Sequence, residues 1–248
     1  MQETVDAHCH INFFKNAGDI ALACEKNRVH TIYVTTLPSH FEETFDYVKS
    51  LKYVHPALGF HALERDYNLE KERNIFLKNI DKTQYIGEIG LDFSKKSQVL
   101  KSQQIETFEF ILDAINGKDK IVSVHSLNAE DEVIGLLNQY KIDKVILHWY
   151  TGKISSLKKA TDQEFYFSIN KAMVESQKGR NIISKIPQKL ILVETDAPFI
   201  ENVLPYSNDK VYQYLQSIWG ISLEQTKAIV LSNFYRLQKQ SKIKSLFD

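Results

Sequence analysis

The 248 residues carry 31 Lys and Arg against 31 Asp and Glu, a formal charge of zero, so no global cationic field draws the chain to nucleic acid and any such contact must be local. Hydrophobic residues at 43% and charged residues at 25% describe an ordinary globular chain and exclude a disordered one. With only Cys9 and Cys24, no leader-like start and no apolar run long enough to span a bilayer, a cytoplasmic protein with neither disulfide framework nor membrane contact is expected.

Short apolar, β-branched runs alternate with longer stretches of helical period. In chain order, a predicted strand at 4–9 precedes a helix at 17–27, then 31–36 precedes 40–51, 53–60 precedes 69–80, and 84–89 precedes 101–116. Next, 120–125 precedes 129–139, 144–149 precedes 153–160, 164–169 precedes 173–185, and 190–195 precedes helices at 207–218 and 223–238. Within 101–116, Ile105, Phe108, Ile111, Leu112 and Ile115 form one apolar stripe while Glu106, Glu109 and Asp113 face away. Strands alternating with helices pair in parallel through right-handed crossovers, and eight can close into a (β/α)8 TIM barrel, an α/β fold that fits one domain over 1–248. An open doubly wound sheet is the alternative. Residues 239–248 read as a loose end.

Asp6, His8 and His10 lie on alternate positions of the first strand, so their side chains share one face, in a barrel the interior. Two imidazoles so spaced can converge on a divalent ion, with Asp6 below them as an orienting partner or further ligand. Histidines bonded to backbone at a polar strand end would show the same spacing. Glu88 follows Tyr85 and Ile86 and is flanked by Gly87 and Gly90, where a buried carboxylate needs a cation or donors. His125 and His148 each end an apolar run, and Glu194 and Asp196 end the eighth, before Ala197-Pro198. Ionisable groups recurring at the same end of five strands are not explained by packing, because barrel chemistry collects at that face. Imidazoles with carboxylates suit Zn, Mn or Fe better than Ca, and two such ions about 3.5 to 4 Å apart would clamp a phosphoester under in-line attack.

The segments Asp6-Ala7-His8-Cys9-His10, Gly59-Phe60-His61, Gly87-Glu88-Ile89-Gly90-Leu91-Asp92, Val124-His125-Ser126, His148-Trp149-Tyr150-Thr151-Gly152 and Glu194-Thr195-Asp196-Ala197-Pro198 run in order across nearly the whole chain. In this the chain resembles the TatD family of metal-dependent deoxyribonucleases, a branch of the amidohydrolase-like barrels. The resemblance implies two divalent ions per subunit, of the Mg, Mn or Zn kind. It implies that His8 and His10 bind one, that Glu88 bridges both, and that His125 and His148 bind the second. Asp196 would hold the first ion and orient or deprotonate the attacking water, and Glu88 and Asp196 are the catalytic pair. Asp6, Asp92 and Glu194 would support the ligands from behind, and His61 would face substrate. DNA, as single strands or 3′ ends, is the implied partner. Ala62, Leu127 and the run Phe199-Ile200-Glu201-Asn202-Val203-Leu204-Pro205 depart from the family pattern on loops around the pocket, which touches substrate range more than the metal set.

The His148–Gly152 segment and the run Phe167-Ser168-Ile169-Asn170-Lys171-Ala172-Met173 are similar to the TatD-type nucleases of bacterial Qat anti-phage systems, which implies a defence role with Qat partner proteins. Residues 141–190 are locally basic, through Lys141, Lys144, Lys153, Lys158, Lys159, Lys171, Lys178, Arg180, Lys185 and Lys189, which either contact phosphates or lie on solvated helix faces. Lys153 and Lys171 follow strands six and seven and are the candidates to reach the mouth; Trp149 and Tyr150 either stack an unpaired base or pack a loop. Two other functions fit the residues: hydrolysis of a small ester, amide or lactone, and nucleic-acid capture by a subunit with little turnover.

Overall fold

The computed structural model describes residues 2–61, 63–201 and 203–239. Eight parallel strands follow one another around a sheet in sequence order. They are β1 (Thr4–Cys9), β2 (Val29–Val34), β3 (Val54–Leu58), β4 (Tyr85–Gly90), β5 (Ile121–His125), β6 (Val145–His148), β7 (Tyr166–Ile169) and β8 (Ile191–Val193). Between them run α1 (Ala17–Asn27), α2 (Pro38–Val48), α3 (Leu69–Asn79), α4 (Lys101–Ile115), α5 (Glu130–Gln139), α6 (Ile154–Asp162), α7 (Lys171–Glu175) and α8 (Gln177–Ile183), and α9 (Asp209–Trp219) and α10 (Leu223–Lys239) follow the last strand. β2, β4, β6 and β7 are buried at every position, as strands with helices outside and a filled interior must be.

The sheet closes through the residues just past β8. Asp196 N donates to His8 O at 3.0 Å and His10 N donates to Ala197 O at 2.9 Å. Inside this seam the Asp6 carboxylate accepts from Thr195 N at 2.8 Å and Thr195 Oγ1 at 2.6 Å. This closure makes the fold a TIM barrel and rules out the open sheet. Across the barrel, β3 ends at Leu58 and the chain beyond β2 reaches β4 directly: Thr35 N donates to Gly87 O at 3.0 Å and Glu88 N to Thr35 O at 2.9 Å. A side chain at Gly59 would bring its Cβ to 1.5 Å from Thr35 O, so only glycine lets this crossing form.

The expected elements are met with ends shifted by up to a few residues, β2 running 29–34 rather than 31–36 and α2 38–48 rather than 40–51, and one is broken. The helix expected at 173–185 is broken into α7 and α8 at Ser176, whose backbone is extended and whose side chain accepts from Gly179 N at 3.0 Å to cap α8. Met173, Val174, Ile182 and Ile183 are buried from both pieces, so the apolar period persists through the break. Residue 164, expected in the seventh strand, lies in the turn before it, with a φ of 58°. The departures at Ala62 and Asn202 and the end at 240–248 lie outside the described residues. No helix among the described residues is long and apolar enough to cross a membrane.

The N-terminal ends of the strands are covered by α10. There Glu3 accepts from the hydroxyls of Tyr53 at 2.8 Å and Tyr235 at 2.9 Å and lies 3.2 Å from His30 Nε2. Lys144, counted above with the basic half, is at this end too, 2% exposed, donating to Gln238 O at 2.9 Å and paired with Asp119 at 2.6 Å. The hydrogen bonds from Tyr53 and His30 hold the Glu3 carboxyl down at about 2. A carboxyl held below its unfolded value contributes stability that is present above that value and lost as pH falls through the folded one. Glu3→Ala is therefore expected to lower stability by about 1 to 3 kcal/mol near neutral pH. The deficit should vanish as denaturation is measured from pH 4.5 down toward 2.

Candidate metal centre

Each candidate ligand sits where a strand stops. His8 is in β1 and His10 just beyond it, Glu88 is in β4, His125 ends β5, His148 ends β6, and Asp196 follows β8. Gly90 sets the depth of Glu88 against His125. It has a φ of 122°, and a Cβ there would meet His125 O at 2.1 Å, so β4 and β5 approach closely only because this residue has no side chain. Asp196 also has a positive φ, 49°, and is held in it by its bond to β1 and by Phe199 N donating to its carbonyl at 2.9 Å.

The site has two halves joined by one carboxylate. His8 Nε2 and His10 Nε2 are 3.1 Å apart, and both face Asp196 Oδ1, at 3.8 and 3.7 Å. Glu88 directs Oε2 at this half, 3.4 Å from His10 Nε2. Its Oε1 faces the other half, 3.2 Å from His125 Nδ1, 3.0 Å from His148 Nε2 and 3.8 Å from His61 Nε2. The rings of His8 and His148 stack at 3.8 Å, which locks the halves together. The site is deep: Glu88 and His148 are 5% exposed and His8 not at all.

Burial decides the charges. It pushes His10 down to about 4 and His8 well below its usual value, so both imidazoles are neutral and offer lone pairs at pH 7. The bond between His8 Nδ1 and Ser123 Oγ at 2.7 Å leaves Nε2 as the nitrogen aimed into the site. Burial and the neighbouring Glu88 push Asp196 up to about 8. For Glu88 the burial cost is outweighed by His61, His125 and His148, which hold its carboxyl well below the usual range. His125 goes the other way: burial opposes its charged form, but Asp92 and Glu88 prevail and raise it to about 9.

Three groups of ligand atoms lie within 4.8 Å of one another and could hold a metal ion: His8, His10 and Glu88; His61, Glu88 and His125; and His8, His148 and Glu194. The third is the least available, because Glu194 already accepts from Trp149 N at 3.0 Å, from Asn170 Nδ2 at 2.9 Å and from Ser168 Oγ. The donor set fits divalent metal: five imidazoles and two carboxylates crowd one space, and His8, His10 and His148 through Nε2 and His125 through Nδ1 all turn a ring nitrogen to the oxygens of Glu88 and Asp196. Imidazoles and carboxylates so crowded are acceptors short of a cation.

The supporting residues divide into those the sequence pointed to and those it did not. Asp6 holds Thr195, which sets Asp196 beside His8 and His10. Asp92 Oδ2 is 3.5 Å from His125 Nε2, and Glu194 holds the backbone that follows His148. Sequence reading missed Gln104, which is buried on α4 one turn before Phe108. It accepts from Asp92 N at 2.8 Å and donates to Asp92 O at 2.9 Å. It missed Ser123, Ser168 and Asn170 as well, polar residues in or just past apolar strands; the period-2 alternation of Ser123 with Ile121 and His125 was the one signal available.

The expected substrate contacts fare unevenly. His61 is buried beside Glu88, and Lys171 bridges to the loop after β8, with Nζ 3.3 Å from Glu201 O. Trp149 is half-buried against the core. Tyr150 cannot stack a base: it is 1% exposed, packs edge-on to Phe167, and its hydroxyl donates to Lys153 O at 2.8 Å. Lys153 is exposed in a groove it shares with Glu130, Asp131 and Glu132. Lys158, Lys159 and Lys189 pair with Asp162, Asp131 and Glu164 at 2.7 to 2.8 Å on the exterior, so these lysines are not directed at the mouth.

A parallel eight-stranded barrel whose C-terminal mouth gathers histidines and carboxylates around one buried glutamate is the design of barrel hydrolases that act with metal ions. Within that class the chain belongs to the TatD related DNase family, whose model matches residues 5–239. It is therefore a hydrolytic enzyme. It is similar to the human deoxyribonuclease TATDN3, at 26% identity over 94% of this chain and 93% of that one. An uncharacterized metal-dependent hydrolase of Buchnera aphidicola is 29% identical over 94% of this chain and 98% of that one. Among solved structures, the TatD homologue YjjV of Escherichia coli shares the fold, with a TM-score of 0.83 and 20% identity over 94% of this chain and 97% of that one.

Gln104→Ala leaves Asp92 N buried without its acceptor. It should cost about 1 to 3 kcal/mol in urea denaturation. It should also weaken divalent-metal affinity by roughly 10- to 100-fold in a direct titration, because Asp92 no longer steadies His125.

Proposed function

We propose that this enzyme hydrolyses DNA phosphodiester bonds with two divalent metal ions, acting on unpaired 3′ ends. The observation that carries the reading is Glu88, which turns one oxygen toward each half of the site. His8, His10 and Asp196 would hold one ion, His125 and His148 the other, with Glu88 reaching both; the donors suit Zn or Mn, and Mg where substrate oxygens complete the set. Such ions, when bound, polarise phosphoryl oxygens and make water a nucleophile at neutral pH.

The chain's own residues supply position and proton transfer. Asp196 turns Oδ1 to His8 and His10, and once bound cations offset the burial that holds its proton on, Oδ2 would accept the proton of the attacking water. His61, beside Glu88, faces the substrate phosphate, and Lys171 offers a cation at the edge of the mouth. The human relative's name as a deoxyribonuclease supports DNA as the substrate. The similarity of 148–152 and 167–173 to the Qat nucleases supports an anti-phage role alongside Qat partner proteins.

Labelled single-stranded DNA should be cleaved from its 3′ end in Mg, Mn or Zn, duplex DNA more slowly, and neither in EDTA. Asp196→Asn should lower the rate by about 10² to 10⁴. Absence of metal-dependent cleavage under every condition would reject the reading. Elemental analysis should find two ions per chain, and one in His148→Ala with an unchanged circular dichroism spectrum; an unfolded His148→Ala protein would contradict the assignment of that residue.

A further inference from the structure

Two large aromatic side chains stand exposed directly over the buried His10. Phe13, in the turn after β1, is 46% exposed and Phe199, after Pro198, is 56% exposed, while His10 beneath them is 1% exposed. Both rings are set edge-on to the imidazole, Phe13 at 5.6 Å and Phe199 at 4.9 Å, and they meet each other at 5.3 Å and 60°. Neither belongs to a core cluster. Leaving a phenylalanine in water forgoes the free energy of its burial, so an exposed pair beside a catalytic mouth marks a surface kept for contact.

The pair is also tied to the site. Phe199 N donates to Asp196 O at 2.9 Å and Phe13 N to His10 O at 3.2 Å, so each ring is carried by a backbone bonded to a candidate ligand. A V of 60° is too open to clamp a flat group between two faces. It leaves the more exposed ring, Phe199, as the face on offer, with Phe13 packed against it at 5.3 Å. Lys171, bonded to Glu201 O, adds a cation to the same loop.

We propose that Phe199, backed by Phe13, is the stacking platform for an unpaired nucleobase next to the phosphodiester held at the Glu88 centre. The proposal rests on the nuclease reading above and names the subsite that reading lacks. Bases inside a duplex have both faces covered by their neighbours, so a single open ring selects unpaired nucleotides, and it tolerates any sequence because every base has a π-face. It also replaces Tyr150, whose burial removes it from this role.

Two measurements test it on the full chain, with divalent metal in excess. In the first, single-stranded oligonucleotides carrying 2-aminopurine at successive positions are bound to Asp196→Asn protein, so that the strand stays intact. Quenching should appear at one position, disappear in the Phe199→Ala background and return with Phe199→Trp. In the second, kcat/KM is compared on matched strands with and without the base at that position. Phe199→Ala should lose about tenfold or more on the intact strand and nothing further on the abasic one. Quenching that survives Phe199→Ala, quenching at no position, or an equal loss on both strands overturns the proposal, as expected if the pair docks a protein instead. The two readings separate cleanly: Phe199-dependent quenching without cleavage rejects the nuclease and keeps the platform. Cleavage indifferent to Phe199 does the reverse.

Discussion

A carboxylate buried to 5% exposure in a barrel mouth must be met by opposite charge or by donors, and Glu88 is met on two sides. One oxygen faces His10 and the other His125, His148 and His61. The rest of the site answers to that requirement. Glu88 is fixed by Thr35 O and by Phe60 N at its backbone, and its depth is set by Gly90 against β5. The histidines around it are kept neutral by burial, apart from His125, which two carboxylates raise. A cluster with so many acceptors and so little water is stable as a metal site and costly as anything else.

Holding such a cluster in place takes the whole barrel. The seam between β1 and the end of β8 is clamped by Asp6 on Thr195, and this bond settles where Asp196 stands relative to His8 and His10. At the opposite end, Glu3 and Lys144 tie the strand starts to α10 through Tyr235 and Gln238. Polar side chains thus tie the chain together at both ends of the barrel. Between them, strands buried on both faces supply the apolar packing.

The substrate side is built differently. The candidate metal ligands sit on or just beyond strands, which are rigid, and the candidate substrate contacts sit on the segments that follow them. The aromatic pair over His10 joins the two kinds of region, because each ring hangs from a backbone hydrogen-bonded to the ligand set. Loop composition can change around such a frame without moving the ligands. Phe199 begins the run that departs from the family pattern while Asp196, three residues earlier, keeps it.

By itself the sequence determined the alternation of eight strands with helices and the ligand candidates, because both are written in local periods; closure into a barrel rather than an open sheet was decided by the seam between β1 and the end of β8. Alternation placed Asp6, His8 and His10 on one face of β1, and apolar runs ending in Glu88, His125, His148 and Asp196 marked strand ends on their own. Tertiary structure alone decided what depends on residues far apart in the chain. The break at Ser176 was hidden by a helical period that continues across it. Gln104, a polar residue at the start of α4, has a partner only because α4 lies beside Asp92. Lys144 looked like part of a phosphate-binding half until the barrel put it at the far end. Tyr150 and Phe199 are both aromatics just past a strand, alike in sequence. Only the packing of the closed barrel buries the first against Phe167 and leaves the second exposed above His10, since exposure is a property of neighbours and not of the residue.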